Sequence, residues 1–388
     1  MKNSYDNERR DLVIVCSNTM FDENPLGAKP LAIALQKTCN VIYVDPPFSI
    51  ATAIKQSNLR SKIFATKYKH ISKSLLSVTP LVLPGKDRPI IYKITSWMLM
   101  RRIRKAIANS GFEYPGKPIL IATAPHYRLF FEEFFNIYWM MDDYASQPEL
   151  TGIDPKVLKD GQEYQCQNAD KIITVSDTLS SSLEAKFLQK TQTVYNGADD
   201  ELFRFPCLNS HIESINQEKL PTRNFAIYAG GVNDRVDLNY LKILADANIE
   251  LVIVGARGND IDQDLFEEII SKVNVYFLGP MKYENIPAWL NLASVGLVPY
   301  KKSLFNEVSM PLKIPEYLLC GLPVVSSDLP FTKSFENDDV EVAVDENDFL
   351  DKVRHAVENP PFPSQRVMRS SRIAQDWSWG KKASEFID

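Results

Sequence analysis

The strongest constraint on this chain is an alternation. Short apolar runs of strand length are separated by segments with helical spacing, and the series occurs twice. LVIVC (12–16), NVIYVD (40–45), PILIATA (118–124), NIYWMMD (136–142) and KIITVS (171–176) read as buried strands, with helices at 29–38 and 96–110. The second series places strands at 224–231, 250–255, 274–279, 295–300 and 323–327, with helices at 236–248, 262–272, 285–293 and 311–321. Strands joined through helices pair in parallel, because the crossover returns the chain to the same end of the sheet. The expectation is an α/β chain of two Rossmann-like domains facing each other across a cleft, and 388 residues suffice for two cores. The predicted boundaries are 1–206, a polar linker or surface excursion at 207–223, 224–370, and a C-terminal helix at 371–388 returning to the N-terminal domain.

Five scattered cysteines (Cys16, Cys39, Cys166, Cys207, Cys320) form no CxxC pair, so neither a zinc site nor a disulfide framework is expected. The polar start MKNSYDNERRD and the strand-sized apolar runs predict neither a targeting segment nor a membrane span, and hence a cytoplasmic protein. Charge is unevenly spread. Residues 51–110 hold thirteen Lys and Arg against one acid, Asp87, within a chain of net charge −5. Arg101, Arg102, Arg104 and Lys105 cluster on the helix 96–110, beside the apolar Trp97, Met98, Leu99, Met100 and Ile103. Either this is a basic solvated face, or it meets anionic lipid headgroups or a phosphorylated acceptor. No nucleic-acid motif accompanies it, so nucleic acid is not an expected partner.

Chemistry concentrates in the second series. YAGGVNDRVD sets Gly230 and Gly231 at a strand end, where backbone N–H groups can approach a phosphate, with Arg235 as counter-charge. No GxGxxG with a following acid occurs, which counts against an NAD enzyme. SMPLKIPEYLLCGLPVVSSD (309–328) reads as a helix entered at Pro311 and closed by Gly321. Lys313 in its first turn opposes the helix dipole unless an anion lies between them, as a diphosphate would. Glu316, on the same face, could accept hydrogen bonds from two ribose hydroxyls; the plain alternative is a surface Lys–Glu pair.

PLKIPEYLLCGLPVVSSD resembles the donor-site signature of GT-B glycosyltransferases, especially family-4-like enzymes of bacterial polysaccharide synthesis, in which a helix carrying Lys and Glu precedes GxPVV. YAGGVNDRVDLNYLKILA and WMMDDYASQP (139–148) resemble blocks of the teichuronic-acid type. VSDTLSSSLEAKFLQKTQTVYNGADDELF (175–203) resembles the stretch joining the two domains, and VYFLGPMKYENIPAWLNLASVGLVPY (275–300) a further block. The donor helix is also similar to that of xanthan-type glucuronosyltransferases. The resemblance implies that Gly279, Pro280, Met281 and Lys282 lie beside the nucleobase. Many family-4 enzymes carry a second carboxylate eight residues before the helix glutamate. Here that position is Val308, with Glu307 one residue further back, and Ser309 and the backbone around Met310 are the alternatives.

The resemblance implies a metal-independent glycosyltransferase with no cofactor. It would move a sugar from a UDP- or GDP-linked donor to a lipid-linked or growing cell-surface polysaccharide, at the inner face of the membrane. A nucleotide-sugar epimerase of the same fold and a catalytically silent scaffold are the alternatives. Asp143, Asp142 and His126, at strand ends, are the candidate bases or acceptor anchors, and Gly27 is placed on the acceptor side. Adjacent strand residues point oppositely, so one of the two aspartates should face substrate, and Asp143 is preferred.

Overall fold

The computed structural model describes residues 10–22, 27–49, 54, 68–85, 88, 91–144, 152–207, 221, 223–335 and 339–388. Most of the expected linker, part of the basic segment (Lys55, Arg60, Lys62, Lys67, Lys86 and Asp87) and residues 145–148 of the WMMDDYASQP block lie outside them.

Two compact units form. The first comprises residues 1–194 and 383–388, the second residues 195–382. The division therefore falls after Val194 rather than at residue 206, because 195–207 pack with the second core: Phe203 and Cys207 are buried there among Phe225, Leu319 and Cys320. The C-terminal region is two helices, Pro363–Trp377 and Trp379–Ile387, and the end of the second clusters with the first unit.

The first unit is built on an eight-stranded sheet. Its strands are β1 (Leu12–Cys16), β2 (Asn40–Val44), β3 (Tyr68–His70), β4 (Leu75–Val78), β5 (Ile119–Ala122), β6 (Phe135–Met140), β7 (Lys171–Thr174) and β8 (Thr191–Thr193), ordered β3-β4-β2-β1-β5-β6-β7-β8. Among the described residues only the β3–β4 pair is antiparallel. The second unit holds β9 (Ala226–Ala229), β10 (Leu251–Val254), β11 (Val275–Gly279), β12 (Val295–Val298), β13 (Val324–Ser327) and β14 (Val340–Ala343), all parallel, ordered β11-β10-β9-β12-β13-β14. The central strands are buried at every position, as expected when helices cover both faces of a parallel sheet. In both sheets the order reverses beside the first strand of the unit, the position at which doubly wound folds bind ligands.

In the second unit two helices end against one side chain. The buried Arg366, on Pro363–Trp377, donates through Nε and Nη2 to the Cys320 carbonyl at 3.2 and 2.8 Å. It also reaches the carbonyls of Leu290 and Asn291, each at 2.8 Å. These are terminal carbonyls of the helices Ile286–Leu292 and Lys313–Leu319, groups with no partner inside their own helix. The turn that lets Arg366 in needs Gly321, at φ 73°, as the αL residue read from the sequence. The thiols of Cys207 and Cys320 lie beside this junction, 3.4 Å apart and unlinked. Replacing Arg366 by Met removes charge-assisted hydrogen bonds and strands buried carbonyls. A destabilisation of about 2–4 kcal/mol is expected, read as a lower urea midpoint for the second unit; a midpoint equal to the parent's would refute the assignment.

Candidate functional site

In the first unit the expected residues occupy different settings. His126 is buried in the 3-10 turn Pro125–Tyr127, its ring 4.0 Å from that of Tyr127. The helix Pro155–Asn168 presses Gly161 on this turn so closely that a Cβ there would lie 2.7 Å from the Pro125 carbonyl oxygen. Strand β6 ends at Met140, so strand alternation does not govern Asp142 and Asp143, contrary to expectation. Asp142 accepts a hydrogen bond from Tyr144 Oη at 3.0 Å, and Tyr144 in turn accepts from Asn18. Asp143 lines a cavity of about 300 Å³ with Lys159, Gln162, Glu163, Cys166 and the segment 182–184. Gly27 precedes the helix Ala28–Leu35 at φ 74°, close to Thr19.

The basic helix is longer than expected, Ile91–Ser110, and Trp97 does not join its apolar face. Leu99 and Ile103 are buried, whereas Trp97 is 55% exposed. Positions 97, 101, 104, 105 and 108 fall on one side at helical spacing. There Trp97, Met100, Arg101, Arg104, Lys105 and Ala108 line a hollow of about 380 Å³. Arg101 lies over the Trp97 ring, Arg102 covers Tyr68, and Arg104 pairs with Glu133 at 2.9 Å.

In the second unit the expected residues converge. Three neighbouring strands, β9, β10 and β11, run out on Gly230, Gly255 and Gly279. Gly255 donates to the Gly279 carbonyl at 2.8 Å, and a Cβ on it would collide with the Gly230 carbonyl. Gly279 turns at φ 70°. Beyond it Met281 is half-buried and Lys282 exposed. Gly255 was not among the expected residues, although it too is a strand-end glycine.

The loop carrying Arg235 is stitched to the end of β12. Lys301 N–H donates to the Arg235 carbonyl, and Val236 bridges Tyr300. The Arg235 guanidinium donates to Asn306 Oδ1 at 2.7 Å and Ser309 Oγ at 2.9 Å, and lies 5.0 Å from the Tyr300 ring centre and 4.4 Å from that of Phe305. The fully buried Asn306 is held by the Ser303 cap of the short helix Leu304–Val308 and donates back to the Arg235 and Lys301 carbonyls. Neither Asn306 nor Tyr300 was an expected site residue.

The helix carrying Lys313 and Glu316 begins at Lys313, after an N-cap at Leu312, so Pro311 precedes the helix rather than occupying its first turn. Pro315 takes an early position instead, where its missing N–H costs no intrahelical bond. Lys313 Nζ donates to Tyr300 Oη at 2.8 Å. Glu316 is 8% exposed and accepts from Tyr283 Oη at 2.6 Å, so it is no surface partner of Lys313. Burial raises its carboxyl to about 7, against smaller lowering effects of Tyr283 and Lys313. The folded carboxyl thus holds its proton to higher pH than the unfolded one, and stability falls as pH rises from about 4.5 through 7. Glu316→Gln is expected to abolish that slope, worth on the order of 3 kcal/mol, in denaturant titrations between pH 5 and 8; identical slopes in parent and variant would contradict it.

Residues 235–359, which contain Arg235, Lys313 and Glu316, match the family described as glycosyl transferases group 1. Over 309 residues, 76% of each chain, the sequence is 24% identical to the protein of Bacillus subtilis (strain 168) named as a teichuronic acid biosynthesis glycosyltransferase, TuaH. Sucrose-phosphate synthase from Thermosynechococcus elongatus superposes with a TM-score of 0.69 at 15% identity, covering 97% of both chains. Anabaena Alr3699/HepE in complex with UDP-glucose superposes at 0.62 and 14% identity, covering 97% of this chain and 99% of that one. Of the three readings the sequence left open, these favour the transferase. Among the described residues no helix is long and apolar enough to cross a membrane. With a group 1 domain in the second unit and this architecture throughout, the chain is a glycosyltransferase of GT-B fold.

Proposed function

We propose that the second unit binds a nucleoside diphosphate-sugar, and that the enzyme transfers the sugar, without a metal, to a lipid-linked or growing cell-surface polysaccharide. The observation that carries this reading is the meeting of Arg235 and Lys313 at Tyr300, beside the strand-end glycines. Both cations bond to neutral side chains, and among the described residues neither pairs with a carboxylate. A diphosphate supplies the missing negative charge, and its departure from the sugar is helped by the same two groups. Ser309 and the entry to the donor helix stand next to them, and Glu316 suits the ribose. The backbone of Gly230, Gly231 and Gly279, with Met281 and Lys282, suits the remainder of the nucleotide. The UDP-glucose held by the Anabaena neighbour favours a uridine donor over a guanosine one. The acceptor class is suggested by the name of the Bacillus relative. Asp143, on its cavity, is assigned to anchor an acceptor hydroxyl, and Asp142, His126 and Gly27 are the further acceptor-side candidates.

A thermal-shift panel of UDP-, GDP-, dTDP- and CMP-sugars is expected to single out a UDP- or GDP-linked donor; no shift with any of them removes the reading. Lys313→Ala should weaken that donor about tenfold, with a stability loss of about one hydrogen bond, roughly 0.5–1.5 kcal/mol. Transfer should persist in EDTA, and a complete loss restored by a divalent ion would overturn metal independence.

The exposed Trp97 among Arg101, Arg104 and Lys105 supports attachment to the inner face of the membrane. Indole rings favour the lipid–water interface, and each nearby cation adds about 1 kcal/mol on an anionic surface. Changing the three cations together to Gln should abolish sedimentation with vesicles rich in anionic lipid and leave donor affinity unchanged. A variant that sediments like the parent means the charge is a solvated face.

A further inference from the structure

Tyr300 lies at the centre of the proposed diphosphate site, yet its own position owes nothing to a ligand. Its backbone N–H donates to Ser327 Oγ at 3.1 Å and its carbonyl accepts from the same hydroxyl at 2.7 Å. Its ring is buried, with Arg235 and Lys313 at 5.0 and 5.4 Å from the ring centre. The neighbouring Tyr228 hydroxyl donates to the Gly231 carbonyl at 2.8 Å, which fixes the other side of the group. Lys313 is the opposite kind of side chain, a long flexible stem whose ordering costs conformational entropy. It crosses Gly230 to reach the phenol, and a Cβ on Gly230 would overlap its Cε and Nζ.

We infer that Tyr300 is the positioning residue of the site: its hydroxyl holds the Lys313 ammonium across Gly230, in place for an incoming diphosphate. This rests on the diphosphate reading above. The ordering of the lysine is then complete before the ligand arrives, and less of the binding free energy is lost to it. On this view Gly230 is a glycine to give the lysine passage as much as to admit a phosphate. The chemistry of the phenol agrees. Burial opposes its ionisation, but Lys313 and Arg235 outweigh burial and hold it below its ordinary value.

Calorimetric titration of parent, Tyr300→Phe, Lys313→Ala and the double variant with inorganic pyrophosphate and with UDP tests this. Tyr300→Phe should weaken pyrophosphate up to about tenfold, the cost of ordering one lysine side chain on binding, and lower the melting temperature only as far as one lost hydrogen bond does. The double variant should bind no more weakly than Lys313→Ala alone, because the phenol acts through the lysine. Parent-like binding by Tyr300→Phe, or losses that add in the double variant, would overturn the inference and leave the diphosphate reading standing. A parent that binds neither probe overturns both. Should Tyr300→Phe fail to fold, Tyr300→Leu replaces it: it too removes the hydroxyl, so it must weaken pyrophosphate in the parent and have no further effect in Lys313→Ala; any other pattern refutes the positioning role.

Discussion

The guanidinium of Arg366 closes the ends of two helices at once, and the geometry of the helix Lys313–Leu319 depends on that closure. A seven-residue helix is too short to persist by its own hydrogen bonds. Lys313–Leu319 exists because its body is buried from Ile314 to Leu319 and because the carbonyl of its C-cap, Cys320, is taken by a side chain from a helix some fifty positions later in the chain. Gly321 admits that side chain. Further constraints act at the other end, where Lys313 is drawn to Tyr300 and Glu316 to Tyr283. The helix is therefore fixed by what surrounds it, and its two polar residues are delivered to defined places.

The same dependence separates what the sequence makes legible from what it hides. Runs such as LVIVC and ELVIVG are unambiguous, because a strand covered on both faces tolerates little polarity. β3 (YKH) and β8 (TQT) are short, polar and at sheet edges, so nothing in their composition announces them. PLKIPEY contains two prolines, and the first few residues of a helix accept proline equally well. The pattern therefore locates the first turn but favours Pro311, when the helix in fact starts at Lys313. Lys313, Glu316 and Arg235 are legible as charges in improbable settings. Tyr300, Asn306 and Tyr283 are not, since each looks like an ordinary core or loop residue until the fold sets it beside its charged partner.

The helix Ile91–Ser110 gives the complementary lesson. Read as a string, WMLM is an apolar cluster followed by a basic one. Wound at 3.6 residues per turn, the string divides differently: Leu99 goes to the core, and Trp97 goes outward with the arginines. The distinction decides whether the outer face is merely charged or is charged with an aromatic side chain set in it, and these are different surfaces for a partner to meet.

The glycine ends of β9, β10 and β11 bear on how a protein of this kind can diversify. Along that edge backbone meets backbone, the Gly230 N–H donating to the Val254 carbonyl and the Gly255 N–H to that of Gly279, with no side chain to exchange at Gly230, Gly255 or Gly279. At Gly255 any larger residue would collide with the neighbouring strand end. A point mutation can therefore damage the ledge but can hardly retune it. If the nucleotide binds there as proposed, new preferences among related ligands have to be acquired at the flanks, at positions such as Met281, Lys282 and Ser309, while the ledge itself passes unchanged from one specificity to the next.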